Sequence, residues 1–129
     1  MQVYFETDFV TIGYNRVVQA VIMAWKTPPL SSEFRETLNT LLTATIHFKT
    51  GKVIADSRNF GVMAIEDQEW SAAWGPVASE KGCSHMAIIM PEDVYAKMAI
   101  NDAADYAKQL LTTAYFDSME KAVQWIAKC

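Results

Sequence analysis

The stretch that decides the fold reads KVIADSRNFGVMAIEDQEW and covers residues 52–70. Its apolar segment, Val53 to Ala55, predicts a short buried strand, and a polar loop follows. Three carboxylates then precede Trp70, and apolar residues at helical spacing predict a helix over residues 66–81. A strand that leads through a loop into a helix is typical of a β-α unit, so this region predicts a parallel sheet.

The same alternation continues toward the C-terminus. Met86–Met90 and Ala114–Phe116 are apolar and predict two further strands. Between them, Pro91 predicts a short helical turn through Met98, and Asn101-Asp102 is typical of the start of a second helical piece. A last helix follows residue 116, where Asp117 and Glu120 have the spacing of a capping box.

The N-terminal residues 3–25 predict β structure. Val10 and Ile12 alternate with smaller or polar residues, whereas Val17–Trp25 is almost continuously apolar. Only Asn15-Arg16 separates the two runs, which predicts a tight antiparallel hairpin. The second strand is apolar on both faces and is therefore expected near the middle of the sheet.

A helix is also predicted between this hairpin and residue 52. Pro28-Pro29 ends the strand, and Ser31-Ser32-Glu33 offers a hydroxyl cap followed by an acid in the first turn. Apolar residues at helical spacing continue to about Lys49, and Gly51 is expected to stop the helix. A bend or an interruption of the helix over 66–81 is expected at Gly75-Pro76, because proline removes one helical hydrogen bond.

These elements predict a single α/β domain over residues 1–129. It consists of a mixed five- or six-stranded sheet, with an N-terminal antiparallel hairpin followed by β-α units and about four helices. A chain of 129 residues is long enough to bury a core without disulfides. Cys83 and Cys129 are too few for a disulfide framework and are expected to be free thiols.

Composition excludes some functions. The chain is 51% hydrophobic and 20% charged, with a net charge of -4, which argues against a nucleic-acid surface. No apolar run approaches the ~20 residues that span a bilayer. The N-terminus lacks the pattern of a signal peptide, so a cytoplasmic protein is expected.

Four segments resemble a known family: YFETDFVTI, ADSRNF followed by EDQEW, IIMPEDVYAKMAI, and YFDSMEKAVQWI. Together they span about Tyr4 to Lys128 and resemble the bacterial STAS/SEC14-like proteins, also called SpoIIAA-like, which are relatives of the anti-sigma-factor antagonists. The resemblance implies a SpoIIAA-like (STAS) fold and a role in binding a partner protein. No cofactor is predicted.

In the anti-sigma-factor antagonists a serine at a helix start is phosphorylated by a partner kinase. The resemblance aligns their preceding strand with residues 53–56, which places the serine position near Glu66 or Asp67. Ser57 lies about ten residues too early, and a phosphate there would be repelled by Asp56. The chain therefore departs from the family pattern at its switch residue.

The loop Asp56-Ser57-Arg58-Asn59 is the first candidate site. It follows a strand of the predicted parallel sheet, and ligands of α/β proteins bind beyond the carboxyl ends of such strands. Contact with a ligand or a partner is one interpretation of this loop. In the other, Asp56 accepts backbone N–H bonds within the loop and pairs with Arg58.

The second candidate site is the helix that carries Asp67, Trp70 and Trp74. Its acids are favoured by the helix dipole, so they indicate a helix start more than a pair of catalytic carboxylates. The two tryptophans lie one turn apart and form either a core stripe or an exposed surface for a partner. An exposed ring there would favour a homodimer.

No catalytic motif or metal-binding pattern is found in the sequence. Cys83 and His85 alternate along a predicted strand and are expected on one side of it, but two ligands do not make a zinc site. The leading prediction is a non-enzymatic protein-interaction module with an unidentified protein partner. The alternative is a carrier of a small apolar or lipid-like ligand, which the aromatic residues and methionines suggest. An enzyme that works through one of the carboxylates is the third hypothesis.

Overall fold

The computed structural model describes residues 1–92, 94 and 111–129. Within them the chain forms one six-stranded sheet in the order β1-β2-β3-β4-β5-β6. The strands are β1 (Gln2–Glu6), β2 (Val10–Asn15), β3 (Ala20–Trp25), β4 (Lys52–Asp56), β5 (His85–Ile89) and β6 (Thr112–Phe116). The helices are α1 (Ser31–Phe48), α2 (Ile65–Glu80) and α3 (Met119–Ala127).

The sheet is mixed. β1, β2 and β3 pair antiparallel, whereas β3, β4, β5 and β6 pair parallel. The predicted α/β class and N-terminal antiparallel hairpin are confirmed, and the sheet has the larger of the two predicted strand numbers. Three helices lie in the described part of the chain, against about four predicted; the helical pieces predicted over 91–98 and from residue 101 fall mainly outside it.

The two faces of the sheet are covered by different helices. α1 and α2 pack on one face around a core that includes Val21 and Met23. α3 packs on the other face against β4, β5 and β6, where Ile54 and Ile126 are fully buried. β3 lies inside the sheet and is buried on both faces, as its apolar sequence predicts.

The connection between β2 and β3 is longer than predicted. Residues 16–19 form a four-residue loop, and β3 begins at Ala20 instead of Val17. The Asn15 side-chain oxygen accepts a hydrogen bond of 2.9 Å from Val17 N, an Asx turn that starts the loop inside the apolar run. Val17 is exposed at the tip, so its β-branched side chain was misleading as a strand signal.

Two predicted helix starts differ in detail. The residue before α1 is Leu30, whose backbone N–H donates to Glu33 Oε1 at 2.8 Å, so no hydroxyl caps this helix. At α3 the cap is Ser118, whose Oγ accepts from Lys121 N at 3.3 Å. The predicted capping residue Asp117 instead binds Lys121 Nζ at 3.0 Å.

α1 and α2 also end differently from the prediction. α1 ends before Lys49, which adopts the left-handed conformation (φ 55°), rather than at Gly51. Gly51 has another role: a Cβ there would collide with the backbone oxygen of Gly82 and with Ser84 Oγ. The sheet edge can approach the turn after α2 only because residue 51 lacks a side chain. α2 continues without interruption through Gly75-Pro76.

The strand directions define two edges. We call the edge where the parallel strands end and the helices begin the carboxyl edge, and the opposite edge the amino edge. α1, α2 and α3 each run from the carboxyl edge back to the amino edge, because each follows a strand that ends there. No helix in residues 1–92, 94 and 111–129 combines the length and the apolar character needed to cross a bilayer.

Candidate functional site

The predicted loop 56–59 lies at the carboxyl edge and is closed by an ion pair. Arg58 Nη2 lies 2.7 Å from Asp56 Oδ2, and Arg58 Nε donates to Asp56 Oδ1 at 2.9 Å. The same Oδ1 accepts from Arg58 N at 3.3 Å. The side-chain hydrogen bond raises the pKa of Arg58. The contacts of the structural interpretation are therefore present, and the Asp56 carboxylate is engaged within its own loop.

Ser57 continues the pairing of the parallel strands. Its backbone N–H donates to Ile89 O at 2.8 Å, and its carbonyl accepts from Phe60 N at 3.1 Å. Ser57 is half-buried beside Asp56, whereas Asn59 is exposed. The loop thus presents Arg58 and Asn59 to solvent more than Asp56 or Ser57.

Asp67 connects two helices. It is only 6% exposed, and its carboxylate accepts from Ser31 Oγ at 2.7 Å and from Arg35 Nε at 3.1 Å. Arg35 also lies over the Trp70 ring, 5.6 Å from its centroid. Asp67 was predicted as a residue that contacts a ligand or partner; the structure places it between α1 and α2, with its oxygens bonded inside the protein.

The two tryptophans of α2 have different environments. Trp74 is 7% exposed and belongs to the core under α1 and α2. Its indole N–H has no hydrogen-bond acceptor among the described residues. Trp70 is half-buried and packs edge-to-face on Phe34, with ring centroids 6.0 Å apart. One ring therefore belongs to the core, and the other lies at its margin.

The same edge carries an apolar patch that sequence reasoning missed. Leu30 and Ile65 are each 69% exposed, and Val62 is 99% exposed. We call these three residues the carboxyl-edge patch. The only sequence signal for them is that apolar residues occupy loop positions and helix starts, where polar residues are usual.

Two contacts bring the segments of the carboxyl-edge patch together. Gly61 has φ 86°, and a Cβ built there would lie 3.3 Å from Pro28 Cγ. The bond between Ser31 and Asp67 joins the first turns of α1 and α2. Leu30, Val62 and Ile65 each lie within two residues of one of these contacts, so they come from segments that meet at the carboxyl edge.

Charge is unbalanced at the carboxyl edge. Its four cations among the described residues each lie within 3.1 Å of a carboxylate oxygen, in the pairs Lys26–Glu6, Arg35–Asp67, Arg58–Asp56 and Lys121–Asp117. Hydrogen bonds from the lysines lower the pKa of Glu6 and of Asp117. By contrast, five exposed carboxylates there form no hydrogen bond or ion pair with a described residue: Asp8, Glu66, Glu69, Glu92 and Glu120.

The prediction that Cys83 and His85 lie on one side of a strand is wrong. β5 begins at His85, so strand alternation does not extend to residue 83. Cys83 is buried in the core under α1 and α2, whereas the His85 ring lies 6.1 Å from the Trp125 ring of α3 on the other face. His85 Nδ1 is 2.8 Å from Ser84 Oγ.

Burial should make the Cys83 thiol unreactive. Desolvation raises its pKa from 9.0 to about 11, which lowers the thiolate fraction about a hundredfold at neutral pH. We expect a disulfide reagent to modify Cys129 rapidly and Cys83 only after denaturation, with Cys129→Ser as the control that isolates the slow thiol. Equal rates at both positions would contradict this.

Since the folded state favours the protonated thiol of Cys83, the contribution of this thiol to stability is complete below pH 9.0 and is lost as the pH rises toward 11.

A cavity lies at the amino edge, away from the predicted loop. It has a volume of about 330 Å³ and opens to solvent. Its lining residues come from the N-terminus and start of β1, from the end of β2 and from the loop that follows β2: Met1, Gln2, Tyr14, Asn15, Arg16 and Val17. No residue predicted as a site residue lines it.

The carboxyl edge thus combines a loop closed by an ion pair, an exposed apolar patch and an excess of carboxylates. These features lie together because β3 and β4 end there and α1 and α2 begin there. No family model, no curated protein and no solved structure matches this chain.

Proposed function

We propose that this protein is a non-enzymatic cytoplasmic binding or regulatory module of the STAS/SEC14-like type, which binds a protein partner with its carboxyl edge. The observation that carries the proposal is the carboxyl-edge patch, where Leu30, Val62 and Ile65 expose at least 69% of their surface. These residues lie beside the loop 56–59 that the sequence singles out.

Burying the carboxyl-edge patch against a partner supplies binding energy. A fully buried aliphatic side chain contributes about 1.5–3 kcal/mol relative to an exposed one. A small apolar centre with a polar rim is the usual anatomy of a protein interface. Arg58, Asn59 and Glu66 provide such a rim, and Trp70 extends the apolar surface along α2.

The charges select the kind of partner. Because the described cations of this edge are paired internally, its unpaired carboxylates dominate the field of the described residues there. Complementary charge accelerates encounter and disfavours partners of like charge. The favoured partner therefore offers apolar residues together with lysine or arginine.

The bonding of the predicted residues favours a binding role over catalysis. The carboxylate of Asp56 is held by Arg58, and that of Asp67 by Ser31 and Arg35. Such pairs fix loops and helices in place and leave no unpaired acid of this set inside a pocket. The STAS-like assignment is supported by the sequence resemblance and by a mixed sheet with an N-terminal antiparallel hairpin.

Affinity capture from the source cell tests the proposal. We expect a partner protein to be enriched on the wild-type chain and lost on Ile65→Asp, because the new charge lies in the carboxyl-edge patch. Residue 65 is the first residue of α2, where an acid is compatible with the helix dipole, so this variant is expected to fold. Asn39→Asp, on the exposed middle of α1, is the matched charge control and should retain the partner. Enrichment that does not distinguish the two variants, or none above bare resin, would contradict the proposal.

A further inference from the structure

We propose that the carboxyl edge of one copy of this protein binds the amino edge of a second copy, so that the chain associates head to tail. The inference rests on the proposed function, since it uses the same carboxyl-edge patch and names its partner. It is carried by three features of the amino edge: its charge, its exposed apolar residues and its cavity.

Charge is divided between the two edges. Because the helices run from the carboxyl edge to the amino edge, acids gather at their starts and bases at their ends, as the helix dipole favours. Among the described residues, the only carboxylate side chain that the amino edge carries is that of Glu80, at the end of α2. The lysines and the arginine described at this edge are Arg16, Lys49, Lys52, Lys81 and Lys128.

Hydrogen bonds assemble part of the amino edge into one surface. Thr50 Oγ1 donates to Gln19 O at 2.6 Å, and Lys52 Nζ donates to Val18 O at 3.3 Å. These bonds tie the loop after β2 to the connection between α1 and β4. The resulting surface, which we call the amino-edge patch, contains Arg16, Val17, Ile46, Lys49 and Lys52.

The composition of the amino-edge patch is complementary to that of the carboxyl edge. Val17 and Ile46 are exposed aliphatic residues, and the other three residues of the patch are basic. The carboxyl edge offers Leu30, Val62 and Ile65 among unpaired carboxylates. Apolar surface thus faces apolar surface, and cations face anions, when one copy is placed end to end with the next.

The cavity provides a steric match. It lies beside Arg16 and Val17 and is about 330 Å³ in volume, which exceeds the size of one aliphatic side chain. Val62 is 99% exposed on the loop between β4 and α2. Its side chain, entering the cavity of the next copy, would exchange water for the side chains of Met1, Tyr14 and Val17.

The symmetry of this contact differs from that of a two-fold dimer. The two surfaces lie on opposite edges of the sheet, so each copy keeps one unused surface after it binds another. Such a heterologous contact does not close on itself with two copies and adds further copies instead. The homodimer that an exposed tryptophan would favour is a different assembly, because it would use Trp70. That ring instead packs on Phe34 and Arg35 of its own chain.

Sedimentation of the purified chain provides the first test. At low ionic strength we expect the weight-average mass to rise above the monomer mass of 14.5 kDa as the concentration increases, without a plateau at two copies. Raising the salt concentration should return it toward the monomer, because exposed charges are screened. A monomer at every concentration, or a plateau at two copies, would overturn the inference.

Two variants that each block one edge provide the sharper test. Val62→Asp removes the carboxyl-edge contact, and Arg16→Glu reverses charge at the amino edge; each alone should weaken self-association at least about tenfold. Mixed in equal amounts, they should form a dimer of one copy of each and nothing larger, because each supplies the edge that the other lacks. Asn39→Asp should associate as the wild type does. Circular dichroism checks that the variants fold.

The outcomes separate this inference from the proposed function. If the mixed variants stay monomeric while Ile65→Asp still loses a captured protein, the head-to-tail contact is wrong and the binding module stands. If the mixed variants form the expected dimer and the only protein captured from the cell is the chain itself, the second copy is the partner.

Discussion

Replacement of Ile54 by alanine is expected to lower the free energy of unfolding by about 2–5 kcal/mol. Ile54 is fully buried in the middle of β4, and its strand neighbours are Ile22 and Ala87. It faces α3, a helix of nine residues. Removing the side chain leaves a cavity that this short helix cannot fill, since Ala122 and Ile126 are its only fully buried described residues.

Chemical denaturation followed by circular dichroism measures this loss. Ile46→Ala is the matched control, because Ile46 is exposed on α1; there the same exchange should change stability by less than about 0.5 kcal/mol. A similar loss at both positions would show that the layer between β4 and α3 is not packed as described.

Replacement of Asp67 by alanine is expected to cost about 1.5–3 kcal/mol, the range for hydrogen bonds to charged groups. The exchange removes both acceptors that join α2 to α1 and leaves Ser31 Oγ and Arg35 Nε without them. The cost stays below that of breaking a fully buried ion pair, because the Arg35 side chain is 39% exposed and water can replace its partner. Asp67→Asn keeps one oxygen acceptor and should cost less.

Glu66→Ala is the control for Asp67. Both acids lie in the first turn of α2, so both interact with the helix dipole, which accounts for about 0.3–1 kcal/mol. Only Asp67 connects the two helices. If Glu66→Ala proved as costly as Asp67→Ala in a urea titration, the bonds to Ser31 and Arg35 would not be what makes Asp67 important.

Most of the parallel half of the fold follows from periodicity. Val53 to Ala55 and the apolar positions of α2 have the spacing of their elements, so the β4-α2 unit is predictable within a residue or two. The hairpin was harder, since Val17 suits a strand by propensity while the side chain of Asn15 imposes a turn. Ser31 likewise has the chemistry of a cap, but its hydroxyl bonds to Asp67 on another helix, a contact that local sequence does not encode.

The candidate site is likewise predictable from the sequence only in part. The bonding of Asp56 to Arg58 is predictable because the two residues are neighbours in a loop. The carboxyl-edge patch is not, since Leu30 and Val62 belong to two separate loops and Ile65 begins α2, so the three have no common period. Predicting the separation of charge between the two edges requires the direction of every helix. That direction is known only once the strand order is established.

The common direction of α1, α2 and α3 has an effect that needs no contact at all. Their peptide dipoles oppose the separation of side-chain charge, because each helix start places about half a positive charge at the carboxyl edge, where the acids lie. The whole charges of the side chains outweigh these partial charges, so the described part of the protein keeps an electric moment along the strands. The field of a charged body exerts a torque on such a moment and turns the acidic end toward positive charge before the surfaces touch. Salt screens this torque beyond about 8 Å at physiological ionic strength. Within that distance, the common direction of the helices influences the orientation in which the protein meets a charged partner.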